Sequence, residues 1–270
     1  MTNRSITKLF FRDMIYSLAY GRYKYLAFFS IIAFLALVTS LQLKPSEGNS
    51  VDIFFLLLQD NGYISEHASY RIPLYWNFVQ FFILFLMADF LFHDQESNEA
   101  YLLFRCRSRV HYISTKICWI VAQNIFICSG LFVVIYAVSS LVYGDFSIKA
   151  SPYFQENIES LMASNVTPEQ LLLRIFLGYI MTSIVLSTIL LLCIQLISPI
   201  VSFLGVVILC TISTFSGIKW LPAIHSMILK TDIFDMEHHL TLPFSITYSV
   251  VLFSVTALLT IVFFKKKDIL

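Results

Sequence analysis

Between His93 and Lys116 the chain reads HDQESNEAYLLFRCRSRVHYISTK, with carboxylates first (Asp94, Glu96, Glu99) and cations last (Arg105, Arg107, Arg109, Lys116). That order complements a helix macrodipole, so the run is read as a short helix at a membrane surface, either a plain connector or a handle gripped by another protein. A second polar run holds Asp232, Asp235, Glu237, His238 and His239, whose oxygen and nitrogen atoms suit a metal. Adjacent histidines do not share a helix face, however, and the spacing matches no HExxH pattern, so the run reads as a solvated turn and no metal is assigned. Gln123, Asn124 and Gln195 lie within long apolar stretches. An amide there either hydrogen-bonds a neighbouring helix or lines a substrate path.

Several chemistries are absent from the letters. No GxxxxGK[ST] loop, no GxSxG elbow and no paired intramembrane carboxylates occur, so the chain reads as a non-enzyme with no cofactor of its own. Work driven by ATP and Mg would need a separate subunit. The formal net charge of +1, with basic residues scattered beside apolar runs, gives no patch for nucleic acid. Cys106, Cys118, Cys128, Cys193 and Cys210 have no metal-ligand spacing and read as small apolar fillers.

The elements that must position these residues follow from composition. Hydrophobic residues make up 58% of the chain and charged ones 13%, against about a quarter charged in soluble domains. The sequence is that of an all-α integral membrane protein. Residues 1–24 are basic and amphipathic, with Arg4, Lys8 and Arg12 on one side and Ile6, Phe10, Met14 and Leu18 on another; they predict a cytoplasmic interfacial helix without the apolar core of a signal peptide. A transmembrane domain over 25–264 follows, with six spans predicted at about 25–43, 73–92, 117–143, 171–197, 199–217 and 244–264. A basic cytoplasmic tail covers 265–270. Ile53–Leu58 is too short to cross and reads as an interfacial or buried piece of an external loop. Thr167-Pro168 predicts a helix start, with the threonine as cap. Arg4, Lys8, Arg12, Arg22, Lys24, Arg105, Arg107, Arg109, Lys116 and Lys265–Lys267 fall on one side; Lys44, Arg71, Lys149, Arg174, Lys219 and Lys230 fall on or near the other. That imbalance predicts both termini inside.

With this topology the central run resembles the coupling helix of bacterial ABC-2-type transporter permeases. These have an amphipathic helix before the first span, six spans with both ends inside, and a coupling helix between spans two and three. The matching positions are Glu96 or Glu99 for the family's acidic residue, Leu102-Leu103 for its Leu-rich turn, Ser108-Arg109 for its Ser-Arg pair and Lys116 for the lysine at the mouth of span three, with Arg105 a further basic residue of the same loop. This chain lacks the family's Gly after the acid and has Arg107 where Pro often stands. The resemblance implies ATPase coupling through these residues, cytoplasmic ABC ATPase subunits carrying ATP and Mg, and a second permease subunit in a homodimer or heterodimer. It further implies export across the bacterial cytoplasmic membrane of an amphipathic or hydrophobic substrate, such as a peptide or bacteriocin, a lipid or a drug, with Gln123, Asn124 and Gln195 as its path. The rival expectation is a non-transporting membrane scaffold or sensor whose loop binds a signalling partner.

Overall fold

The computed structural model describes residues 3–63, 73–97, 102 and 108–266, with side chains from residue 6 onward. Its longer helices are α1 (Asn3–Leu43), α2 (Ser50–Leu58), α3 (Leu74–Ser97), α4 (Arg109–Tyr143), α5 (Pro168–Leu196), α6 (Pro199–Phe215) and α7 (Leu242–Lys266). Among the described residues there is no strand. Five of these helices, α1, α3, α4, α5 and α7, are long and apolar enough to cross a membrane, and the 17-residue α6 is a shorter apolar helix. The chain is an all-helical protein of the multi-pass membrane type.

Helix ends follow local chemistry. Thr167 accepts from the Gln170 amide while Gln170 reaches back to the Thr167 amide, and Pro168 opens α5, as the sequence predicts. Pro199 likewise opens α6 after the Ser198 break. The apolar piece before residue 58 is the buried helix α2, started by a second capping box: Asn49 accepts from the Val51 amide at 2.9 Å, and Asp52 accepts from the Asn49 amide at 2.7 Å. Ser151 donates to the same Asp52 oxygen at 2.6 Å, which ties the loop after α4 to this plug.

From Asn3 on, the stretches predicted as an interfacial helix (1–24) and a span (25–43) lie within one continuous helix. α1 is one helix of 41 residues, roughly 60 Å long at 1.5 Å per residue, twice a hydrocarbon core of about 30 Å. No proline interrupts it. Asp13 and Ser17, on the amphipathic part, are buried, and α1 packs on α4 more extensively than any other pair of elements. Lys8 stays exposed and Arg12 half-exposed, while Asp13 and Ser17 beside them turn in against α4.

On α6 and α7 the pattern of a soluble core is inverted. On α7 the buried residues are Ser245, Ser249, Thr256, Thr260 and Phe264, while Val250, Val251, Val255, Leu258, Leu259, Val262 and Phe263 face outward. On α6, Ser202, Cys210, Ser213 and Thr214 face in, and Ile200, Leu204, Ile208 and Ile212 face out. Apolar side chains outward and small polar ones at helix contacts is the arrangement expected where lipid is the solvent. Several of these hydroxyls bond a carbonyl of their own helix, as in Thr260 to the Thr256 carbonyl at 2.7 Å.

Residues 216–241 fold back over the far ends of α5 and α6 as two short turns, Pro222–Ser226 and Ile228–Lys230. Lys230 is buried and donates to the carbonyls of Ser213, Thr214 and Ser216 at 3.0 Å each, closing the C-terminus of α6 where the helix dipole is negative. Asp60 accepts from the amides of Leu229 at 2.8 Å and Gly62 at 2.9 Å, pinning the same segment to the chain after α2. The first turn touches α5 at Gly178, where a Cβ would lie 2.8 Å from the His225 carbonyl oxygen. The His225 ring stacks on Tyr248 of α7, centroids 4.4 Å apart.

Two outcomes follow from this packing. Gly178→Ala destabilises the protein by about 1–3 kcal/mol through overpacking, whereas Gly205→Ala, which meets open space, is neutral or stabilising by up to about 1 kcal/mol through helix propensity; thermal melts in detergent compare them. Burial, and then the positive charge of Arg174, pull the His225 imidazolium from 6.5 down to about 4. The unfolded chain therefore binds this proton first as pH falls, so the His225 contribution is complete above pH 6.5 and declines between 6.5 and 4. A His225→Gln variant shows a smaller loss of melting temperature across that window.

Candidate functional site

The ends of α1, α3 and α4 nearest the 98–108 segment meet through charge. Asp13 and Asp94 are each about 1% exposed and Lys116 is 2% exposed, so all are out of water. Lys116 Nζ lies 2.8 Å from Asp13 Oδ2 and 2.6 Å from Asp94 Oδ2. Arg12 pairs with its neighbour Asp13 and reaches Asp94 Oδ1 at 3.5 Å. Two carboxylates thus face two cations, and the cluster is neutral as a unit.

Helical spacing builds the surround. Tyr112, one turn before Lys116, donates its hydroxyl to Asp94 Oδ2 at 2.9 Å. Phe90, one turn before Asp94, lies with its ring centroid 5.3 Å from the Lys116 ammonium, as does Tyr112. Ser17, one turn after Asp13, accepts from Trp119 Nε1 at 3.1 Å, and Trp119 packs on Phe90 at 4.3 Å. His93 stacks on Tyr20 at 4.2 Å, and its Nε2 is 2.7 Å from the Tyr16 hydroxyl. Further along, Lys24 pairs with Asp89 at 2.5 Å. The result is a joint that fixes three helices to one another near the last turn of α3 and the first turns of α4. α7 ends beside it: Phe264 stacks on Tyr112 at 5.6 Å, and Arg109 donates to the Lys265 carbonyl at 3.4 Å.

The residues expected to couple to an ATPase divide around this joint. Glu96 is exposed at the end of α3, Arg109 is exposed at the start of α4, and Ser108 is the half-buried residue preceding α4, with no side-chain cap bond. Leu102 is buried in the apolar core. Glu99, Leu103 and Arg105 lie outside the described residues. Lys116 is placed differently from expectation: the low-dielectric pairing with Asp13 and Asp94 draws it inside, so it holds helices together instead of offering a surface cation.

The proposed path residues are also accounted for by helix contacts. Gln123 Nε2 donates to the Tyr25 hydroxyl at 2.8 Å. Asn124 Nδ2 donates to the Ile120 carbonyl at 2.8 Å and to Ser187 on α5 at 3.2 Å. Both are buried crosslinks. Gln195 is half-buried and lines a narrow crevice with Gln95, Asp94, Tyr112, Ile113 and Lys116; the side-chain oxygens of Gln95 and Gln195 have no partner there. This crevice lies beside the joint, between α3, α4 and α5.

In the polar turn after Lys230, Asp235 accepts from the Glu237 amide at 2.8 Å and pairs with His238 at 3.0 Å, and His238 stacks on Tyr63 at 3.7 Å. Among the described residues no group of three or more His, Cys, Asp or Glu side chains is placed to hold a metal. The sequence reasoning missed Asp13, Ser17, Tyr112 and the pairing role of Asp94. The available signal was that acids and bases near the ends of long apolar helices must find one another.

Lys116→Ala leaves two buried carboxylates short of a cation and costs about 3–5 kcal/mol, whereas Arg109→Ala at the exposed edge costs under about 1 kcal/mol. Melting curves at low and high salt separate them, because the buried cluster is screened little.

A family model described as "Protein of unknown function (DUF2705)" matches residues 31–270. No curated protein and no solved structure matches the chain.

Proposed function

We propose that this chain, which belongs to the DUF2705 family, is the membrane permease subunit of a bacterial ATP-driven exporter of the ABC-2 type. In this reading α1 and α3 to α7 form six spans with both termini in the cytoplasm, and the segment from residue 95 to 112 couples to a separate ATPase. The observation that carries it is the buried joint of Asp13, Asp94, Lys116 and Arg12 immediately behind that segment. A force applied to the segment by a closing ATPase is passed to α1, α3 and α4 together, because their ends are held by desolvated ion pairs and a stacked aromatic set; a rigid body is what transmits such a motion. Exposed Glu96 and Arg109 supply rim charges for the fit, which favour specificity over affinity.

Gln123 and Asn124 are engaged in interhelical bonds, so our reading puts the substrate path between two permease subunits, identical or related. The substrate class is amphipathic or hydrophobic, a peptide or bacteriocin, a lipid or a drug. The membrane is the bacterial cytoplasmic one, where the basic ends Lys8, Arg12, Lys265 and Lys266 suit the inner face.

The test is co-purification with an ATPase encoded beside this chain, reconstituted in vesicles. Glu99→Ala with Arg109→Ala is expected to weaken ATPase association or transport by about tenfold or more, with the melting temperature of the membrane domain unchanged. Transport that survives the double variant at the wild-type rate refutes the coupling role. A chain that binds a cytoplasmic partner lacking any nucleotide-binding loop would instead make it a scaffold or sensor.

A further inference from the structure

At the end of the bundle opposite the joint, Arg174 of α5 is 4% exposed, yet no carboxylate lies within ion-pair distance of it among the described residues. One terminal nitrogen donates to the Leu240 carbonyl at 2.8 Å and to the Ser245 hydroxyl at 3.2 Å, both neutral. Nε and the other terminal nitrogen have no partner. Asp232 is the acid that reaches it through space. A buried guanidinium left with two free donor sites and no paired anion is costly unless an anion is supplied.

Arg174 lines a narrow crevice between α5 and α7, with Gly178, His225 and Ser245 among its walls. Through Met181 and Ser249, which line both, the crevice joins an apolar groove of about 190 Å³ whose walls include Val121 of α4, Ile184 and Val185 of α5, and Val250 and Phe253 of α7. Val250 is 48% exposed on the outer surface, so the groove opens toward lipid. Beside the polar end stand Trp220, 61% exposed, and Tyr248, whose rings lie 6.1 Å apart, and Lys219, whose ammonium sits 5.6 Å from the Phe244 ring. Exposed Trp and Tyr with a flanking lysine mark the headgroup level of a bilayer. A cationic pocket at headgroup depth thus continues into an apolar groove at acyl-chain depth.

We propose that this crevice and groove hold one anionic phospholipid, its phosphate accepting from Arg174 and one acyl chain lying along Val121, Val185 and Val250. The site does not depend on the exporter reading, since a lipid held between α4, α5 and α7 is equally compatible with a scaffold. Lys219 is placed to add a second positive charge at the rim. The donor geometry of the guanidinium suits phosphate oxygens, and the open groove removes the entropy cost of enclosing a long chain in a closed cavity.

The full-length protein is purified in detergent, and thermal shift and native mass spectrometry are read with three additions: phosphatidylglycerol, phosphatidylcholine and inorganic phosphate. Phosphatidylglycerol is expected to raise the melting temperature and remain bound through desolvation of the complex. Phosphatidylcholine is expected to do so at least about tenfold more weakly, and inorganic phosphate to leave the melt unchanged. Arg174→Gln abolishes the preference for the anionic lipid. Val250→Trp, which fills the groove while leaving Arg174 and its bonds in place, weakens retention of the lipid without changing the melt of the lipid-free protein. Equal effects of the two lipids, or full retention in either variant, overturn the proposal. An inorganic phosphate shift equal to that of phosphatidylglycerol overturns the acyl-chain half of it, leaving a bare anion site.

Discussion

A charge inside a membrane-spanning bundle is tolerable only when another charge or a fixed dipole meets it, and this constraint shapes both ends of the molecule. At one end Asp13, Asp94, Lys116 and Arg12 form a closed, neutral set. The desolvation of each ion amounts to several kcal/mol, and what offsets it is the combination of short contacts, the Tyr112 hydroxyl and two aromatic faces toward the ammonium. Because no member can be removed without orphaning another, the three helices that supply them are bound to one geometry. The same pairing bears on α1: Asp13 reaches Lys116, so the N-terminal turns pack against α4.

Between the charged ends, association relies on small contacts. Lipid tails are as apolar as leucine, so sequestering leucine from lipid yields little. The close seams are instead made of Ser, Thr and Gly, as where Gly178 of α5 receives the 222–226 turn and where α7 presents Ser245, Ser249, Thr256 and Thr260 inward. Buried amides add crosslinks: Gln80 Nε2 donates to Ser226 at 3.3 Å and its oxygen accepts from Ser183 at 3.4 Å. Each such bond is worth on the order of half a kcal/mol to one in a bilayer, and their value lies as much in fixing register as in energy.

The helices were largely legible in the sequence, and their partners were not. Long charge-free runs, the Ser198-Pro199 break and the Thr167-Pro168 cap marked α3 to α7 to within a few residues at most ends, because length and hydropathy are local properties and so are caps. The polar run from His93 to Lys116 was misread in extent for a related reason. Its first residues continue α3 to Ser97 and its last open α4 at Arg109, since a buried ion pair lets polar residues remain helical at the bundle end, and hydropathy cannot register a pairing with Asp13 some hundred positions away. Gln123 and Asn124 show the same limit: an amide in an apolar run has one appearance in sequence whether it faces a pore or a tyrosine on α1. Arg174 was read only as a border charge, and nothing local signals that its neighbours would be a carbonyl and a hydroxyl.

The two ends differ in a way that bears on what each can do. Lys230 is buried with its ammonium held by three carbonyls at the C-terminus of α6, and buried Lys116 lies between two carboxylates; both lysines serve the fold. Arg174 is buried to the same degree and answered only in part. Evenly distributed lysine caps and closed ion sets leave a protein no electrostatic reason to bind anything at those points, whereas a partly answered arginine at the head of a lipid-facing groove leaves one. If the joint transmits motion and the arginine crevice holds an anionic amphiphile, the helices linking them are α4, which carries Lys116 at one end and Val121 five residues on, and α5, which carries Arg174 and, at its other end, Gln195 beside the joint. An occupant between α5 and α7 meets α4 at Val121, and α4 is one of the three helices that the charged joint holds.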